Sequence, residues 1–329
     1  MKKIIYFNLI AIIIIFLSAE FFLRFFNIIT LQGFEKNSFY KEANVTYHYP
    51  NILKTIMGKK IKTDKNGFRI PINEFNYNDK LKNILILGDS VSFGVGVEEK
   101  NTFIGILRKS SKKNLYNSSV AGHRLQNYSF LIKKYHNQLP EINEVLIFLC
   151  LNDIVAQDGI LMKERLKFKS KNKNFFYKIR TNKLFIDLNF FLREKSTVFN
   201  LSKAIGTQNV KRHFNYIKPY YESKNFLDEY ERNIKKIVNY SNFNKINVNF
   251  ILLPYKYQIK KNCVSSIMNP QNQINSIFRK LDYKLYDFTQ EFCNKYNKKK
   301  LFLNFDPMHL STSGHKYVSQ LLKKKGIVN

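Results

Sequence analysis

Two short blocks hold the chain's most reactive side chains. Gly88-Asp89-Ser90 closes the apolar run Ile84–Leu87, and Asp306-Pro307-Met308-His309 stands near the C-terminus. A serine hydroxyl is a poor nucleophile at neutral pH, so it needs a neighbouring base, and that base needs a group to fix its tautomer. His309 and Asp306 supply both from one short turn. Attack by Ser90 on an acyl carbonyl would leave a negative charge that calls for preorganised donors. Gly122, in Ala121-Gly122-His123, follows the short stretch Leu115–Val120, and Asn152, in Asn152-Asp153, follows the apolar run Glu144–Leu151. The Ser90 N–H, the Gly122 N–H and the Asn152 side-chain amide are three candidate donors. On the Gly-Asp-Ser segment alone, a plain strand–helix connection whose serine caps the helix is an equally open reading.

The elements that must position these residues are legible from about Lys82 onward. The run through Leu87 reads as a buried parallel strand, which puts Ser90 at a sheet's C-terminal edge, where open α/β folds place their ligands. Further strands are expected at Leu115–Val120, Glu144–Leu151, Val248–Leu253 and Lys284–Phe288. Helices are expected at Phe103–Lys113, Gln126–Gln138, Asp228–Tyr240, Asn272–Leu281 and Ser313–Lys325. Such alternation predicts an α/β fold with a parallel sheet and helices on both faces. Gly122, Asn152 and the Asp306–His309 block share the position of Ser90, just past a strand's end. Ile154–Tyr221 interrupts the alternation and carries one amphipathic stretch, Phe185–Ile205. An ordinary helical insertion is its plainer reading; a lid or wall over the site, touching membrane or a polymeric substrate, is the sharper one.

Met1-Lys2-Lys3 precedes a run from Ile4 to Phe26 that is apolar except for Asn8, Ser18, Glu20 and Arg24. About 20 such residues suffice to cross a bilayer. Glu20 and Arg24, four apart, can pair on one helix face near the interface. Ser18-Ala19 after Leu17 fits a cleavage site poorly, so an uncleaved signal anchor over residues 1–27 is expected, with the basic end cytoplasmic. Residues 28–80 are polar and without clear period, and read as a connecting arm packed on the edge of the domain that follows, 81–329. Within it Asn66-Gly67 is a turn signal. The formal charge of +31, from 55 Lys and Arg against 24 Asp and Glu, would suit an anionic partner. The lysines are scattered, however, and no nucleic-acid motif accompanies them, so compositional drift accounts for most of the excess and no nucleic-acid partner is expected.

Taken in order, Gly88-Asp89-Ser90, Gly122, Asn152-Asp153 and Asp306-x-x-His309 resemble the blocks of the SGNH hydrolases, the GDSL esterase superfamily, over about Lys82–Leu322. The resemblance implies a flavodoxin-like three-layer α/β/α domain. It also implies Ser90 as nucleophile, His309 as general base and then acid, Asp306 as its orienter, and Ser90, Gly122 and Asn152 as the oxyanion hole. The chain is further similar to a membrane-anchored subset, through Asn66-Gly67-Phe68-Arg69 and Met308-His309-Leu310-Ser311 followed by Gly314-His315. That subset implies acylated cell-surface glycans, or lipid esters, as substrates, and a catalytic domain facing the periplasm or cell exterior. Val91 replaces the family's usual Leu, and Cys150 stands where many members carry the Gly of Gly-x-Asn-Asp. An O-acyltransferase would use the same residues to pass the acyl group to a sugar hydroxyl. A non-catalytic binder of anionic polymer is the more distant alternative.

The other candidates carry less. His315 is expected to pack at a helix start and Asp89 and Asp153 to hold turns; His123, next to Gly122, could line the pocket, but a surface loop is its plainer reading. His48, His136 and His213 show no ligand spacing, so neither a metal nor a cofactor is expected. Gly94-Val95-Gly96 does not match a dinucleotide loop. Cys263 and Cys293 either bridge or remain free thiols, and Cys150, inside an apolar run, is expected to be inert.

Overall fold

A computed structural model describes residues 2–139, 141–155, 182–295 and 297–328. It begins with helix α1 (Lys2–Phe25), whose segment Lys3–Phe25 has a mean hydropathy of 2.3 and is long and apolar enough to cross a membrane. The arm after it is more regular than its polarity suggests. Strands β1 (Phe39–Glu42) and β2 (Val45–His48) form an antiparallel pair; β3 (Leu53–Ile56), β4 (Lys59–Thr63) and β5 (Arg69–Ile70) form an antiparallel sheet. Strands of two to five residues are too short for their alternation to stand out in sequence. The Asn66-Gly67 turn is present, with Asp64 Oδ1 accepting from the N–H groups of Asn66 and Phe68 at 2.8 and 2.9 Å.

The sheet of the main domain comprises β6 (Lys82–Gly88), β7 (Lys113–Asn117), β8 (Ile142–Leu149), β9 (Asn247–Leu252) and β10 (Leu285–Asp287). All four pairings are parallel, in the order β7-β6-β8-β9-β10. Ile84–Leu87 and Val145–Leu149 are buried on both faces, which is why they read as continuous rather than alternating apolar runs. From β6 the chain turns through the single-turn helix α2 (Ser90–Phe93) and α3 (Phe103–Arg108) to β7, then through α4 (Leu125–Gln138) back across β6 to β8. Right-handed crossovers in opposite directions put α3 and α4 on opposite faces, giving three layers.

Helices α5 (Lys183–Lys195), α6 (Thr197–Gly206) and α7 (Asn209–Ile217) precede α8 (Lys224–Phe243), which packs beside α4. After β9 come α9 (Lys256–Lys260), α10 (Asn269–Lys280) and, beyond β10, α11 (Thr289–Asn294) and α12 (Thr312–Lys324), the last against α3. The amphipathic stretch 185–205 is thus two helices, broken at Ser196, whose Oγ accepts from the Phe199 N–H as the cap of α6. The start of the expected insertion, 156–181, lies outside the described residues. The second strand ends at Asn117 rather than Val120; beyond it the Ser118 N–H and hydroxyl both still donate to the Ile86 carbonyl. Cys263 and Cys293 form a disulfide with Cα atoms 6.2 Å apart, and Cys150 is free and buried.

Candidate active site

The sheet order reverses at β6, and the loops leaving β6, β7 and β8 meet at that switch point, where open α/β sheets bind ligands. Asp89 caps α2, its Oδ1 accepting from the Val91 N–H at 2.8 Å, so Ser90 begins the helix with its hydroxyl half-exposed. Gly88 is obligatory in this turn: a Cβ there would lie 2.1 Å from Ser92 Oγ and 3.1 Å from the Phe148 carbonyl oxygen.

Ser90 Oγ stands 2.8 Å from His309 Nε2, although 219 positions separate the two. His309 Nδ1 is 2.8 Å from Asp306 Oδ2, so Nδ1 carries the proton and Nε2 is left to accept from the serine. The other oxygen, Asp306 Oδ1, accepts from the N–H groups of Met308 and His309 at 2.9 and 2.7 Å. Burial alone would raise the Asp306 carboxyl, but the charge of His309 and these hydrogen bonds hold it below the usual carboxylate range. Burial opposes the charged form of His309, yet the charge and hydrogen bond of Asp306 outweigh it and raise its pKa above the ordinary 6.5. Lys256 fastens the loop from outside: its N–H donates to the Pro307 carbonyl at 2.9 Å and its ammonium to that of Leu303 at 2.6 Å.

Asn152 arrives on a single 3-10 turn, Leu151–Ile154, held by Asp153, whose Oδ2 accepts from the Cys150 N–H at 2.6 Å and Oδ1 from Tyr128 at 2.9 Å. Its amide is oriented at both ends. Nδ2 donates to Asp89 Oδ2 at 2.9 Å, and Oδ1 accepts from the Tyr255 hydroxyl at 3.0 Å. Gly122 sits on the adjacent loop with φ +97° and open space where a side chain would be. The Val120 N–H ties that loop to the Gly88 carbonyl at 3.2 Å.

One histidine departs from expectation, and another stands where the sequence set none. His123 is not on the surface; it is buried beneath β2, with Nε2 2.6 Å from the Thr46 carbonyl oxygen. A short strand of the arm covers it, which no local pattern announces. His213, on α7, stacks on Tyr255 and lines the same cleft as His309. Burial lowers its pKa to about 4, so it is neutral at pH 7, and its Nε2 has no hydrogen-bond partner among the described residues. His315 packs as expected, buried, with Nδ1 accepting from the Phe103 N–H at 3.2 Å. The cleft has a volume of about 270 Å³ and is walled by the arm (Gln32, Phe34, Met57) and by the helices before α8 (Arg193, Lys203, His213).

Arg69 is the other residue that the sequence left without a role. Fully buried, it donates to the carbonyls of Phe93, Gly94 (2.8 Å) and Val97 (2.6 Å), the backbone immediately after the Ser90 helix.

Fold and site together define a class: a three-layer α/β protein of flavodoxin-like strand order with a Ser–His–Asp hydrogen-bonded chain at its switch point. No family model matches the sequence, and no curated protein aligns with it. Among solved structures it is similar to a member of the lipolytic protein G-D-S-L family from Veillonella parvula, at 12% identity over 74% of this chain and 97% of that one, TM-score 0.41. It is similar also to the esterase EstA from Pseudoalteromonas (13%, 74% and 95%, TM-score 0.42) and to the lipase/acylhydrolase from Enterococcus faecalis (12%, 76% and 98%, TM-score 0.42).

Proposed function

We propose that the chain is a membrane-anchored serine ester hydrolase of the SGNH type, removing a small acyl group from a carbohydrate or lipid ester outside the cytoplasm. The observation that carries this reading is the continuous path Ser90 Oγ–His309 Nε2 and His309 Nδ1–Asp306 Oδ2, each 2.8 Å. Ser90 Oγ attacks the ester carbonyl carbon as its proton passes to His309 Nε2. Asp306 stabilises the imidazolium and keeps the ring in place. The oxyanion is met by the Ser90 and Gly122 N–H groups and the second Nδ2 hydrogen of Asn152. On collapse, the bond to the leaving alcohol breaks and His309 returns the proton to that alcohol. Water, deprotonated by the same ring, then attacks the acyl carbon; the bond to Ser90 Oγ breaks, His309 returns the proton to that oxygen, and the acid leaves. The Cys263–Cys293 disulfide supports an oxidising compartment, and the basic N-terminus supports the orientation that would place the domain there.

Ser90→Ala in the full chain is expected to abolish turnover of a generic acetyl ester and labelling by a fluorophosphonate, with unchanged circular dichroism. Retained turnover would refute the assignment.

A further inference from the structure

Helix α5 carries a broad apolar surface and leaves it exposed. Leu184, Leu188 and Phe191 recur at i, i+4 and i+7, with Phe185 and Leu192 flanking them; Ile186 and Phe190, four apart, extend the apolar surface around the other side. Between Leu184 and Leu192 the only charge is Asp187. Yet no residue of α5 is buried: Leu184 is 78% exposed, Phe190 58% and Phe191 57%. An apolar helix face this broad and this exposed calls for cover by protein or by lipid.

Where α5 is fastened says which. Its last turn is bonded to the chain leaving α1: the Gln32 N–H donates to the Arg193 carbonyl at 3.0 Å and Arg193 donates to Gln32 Oε1 at 3.0 Å. The α5–α6 junction is clasped by α1 itself. Arg24 donates to the Lys195 carbonyl, while the Glu20 carboxylate accepts from the N–H groups of Thr197 (2.8 Å) and Val198 (3.0 Å) and from the Ser196 hydroxyl (3.0 Å). The junction therefore lies at the level where α1 emerges from the apolar layer.

We infer that α5 is a second membrane-seated element, its apolar surface immersed in the bilayer beside α1, with the junction at headgroup level. The inference rests on reading α1 as membrane-spanning and is independent of the ester chemistry. Lys203, which lines the cleft of His309, lies on α6 seven residues past the junction at Ser196, about 10 Å along that helix. The anchored helix pair thus holds the cleft close to the membrane surface.

The chain has no tryptophan, so each introduced indole is a sole reporter. The full-length Phe191→Trp variant is reconstituted in phosphatidylethanolamine–phosphatidylglycerol vesicles, with Leu188→Trp as a second position. Ile13→Trp in α1 and Phe243→Trp, at an 88% exposed position of α8, serve as references. Expected is blue-shifted emission for Phe191→Trp and Leu188→Trp that loses most of its intensity when the acyl chains are brominated, as Ile13→Trp does, while Phe243→Trp responds only to iodide. Emission from both α5 positions that ignores bromine overturns the inference. Iodide access would then mean water, and a blue shift without bromine quenching would mean cover by residues 156–181 or by a second copy. If Ile13→Trp also ignores bromine, the anchor reading falls and takes the inference with it. Neither result bears on Ser90.

Discussion

The Asn152 amide donates to Asp89 Oδ2 at 2.9 Å, and the same carboxylate, through Oδ1, caps the helix that Ser90 begins. One side chain thus sets both the nucleophile's helix and the angle of an oxyanion donor, with Tyr255 holding the far end of the amide. Asn152→Ala is expected to lower kcat by about 10²–10³-fold with a much smaller change in KM, because the lost bond is formed only as charge develops. Steady-state kinetics on a soluble acetyl ester check this. A change confined to KM would remove Asn152 from the oxyanion hole.

Arg69 is a positioning residue for the same loop. Its guanidinium reaches three carbonyls at once and lies 4.9 Å from the Phe93 ring centroid. Arg69→Ala would leave buried acceptors without donors, and hydrogen bonds from a charged group are each worth roughly 1.5–3 kcal/mol, so a loss of at least ~3 kcal/mol is expected in urea unfolding. Arg69→Lys should recover part of that and no more, since a single ammonium cannot reproduce the planar fork. An unchanged urea midpoint for Arg69→Ala would show that the loop after Ser90 holds itself.

Activity and stability should separate with pH. His309 must be neutral to take the serine proton, and its pKa lies above 6.5, so the acid limb of kcat/KM is expected above pH 6.5. Because its native pKa is raised, its own contribution to stability is complete below the unfolded value and lost as pH rises through the native one. His48, His123 and His315 go the other way. Burial lowers them to about 3, 4 and 3, so the unfolded chain binds their protons more readily. Their stabilising effect is present above pH 6.5 and declines by ~1 kcal/mol per pH unit for each as pH falls towards the native values. Urea midpoints measured from pH 7.5 to 4.5 should therefore fall steadily below 6.5. Rate profiles should have turned down already at higher pH. Coincident midpoints would contradict the assignment of the acid limb to His309.

What could be read from the sequence was whatever a strand's end displays locally. The runs Ile84–Leu87 and Val145–Leu149 are buried on both faces and so appear as unbroken apolar stretches, with Ser90 and Asn152 a step beyond. Asp306 and His309 are three apart and announce their own pairing. Arg69, His213 and Tyr255 were invisible because each acts across the fold, on partners 24 to 103 positions away or on the cleft itself. His123 was misplaced for a related reason: its cover is β2, four residues of a polar arm that pairs with an equally short neighbour. The break at Ser196 did have a local signal, the polar run Arg193-Glu194-Lys195-Ser196-Thr197, which a single amphipathic stretch over 185–205 passes over.

His213 offers the sharpest test of the cleft. It is neutral at pH 7, stacked on Tyr255, and its Nε2 meets no polar group among the described residues although it shares a cleft with His309. A buried polar atom without a partner among the described residues is accounted for if what occupies the cleft supplies one. His213→Phe retains the stacking surface and removes the nitrogen. With an ester large enough to reach it, KM is expected to rise about fivefold, the worth of one ordinary hydrogen bond, with kcat nearly unchanged. With a minimal acetyl ester, which fills only the space beside Ser90, the variant should match the parent. Equal KM values for large and small esters in the variant and parent would exclude His213 from substrate binding.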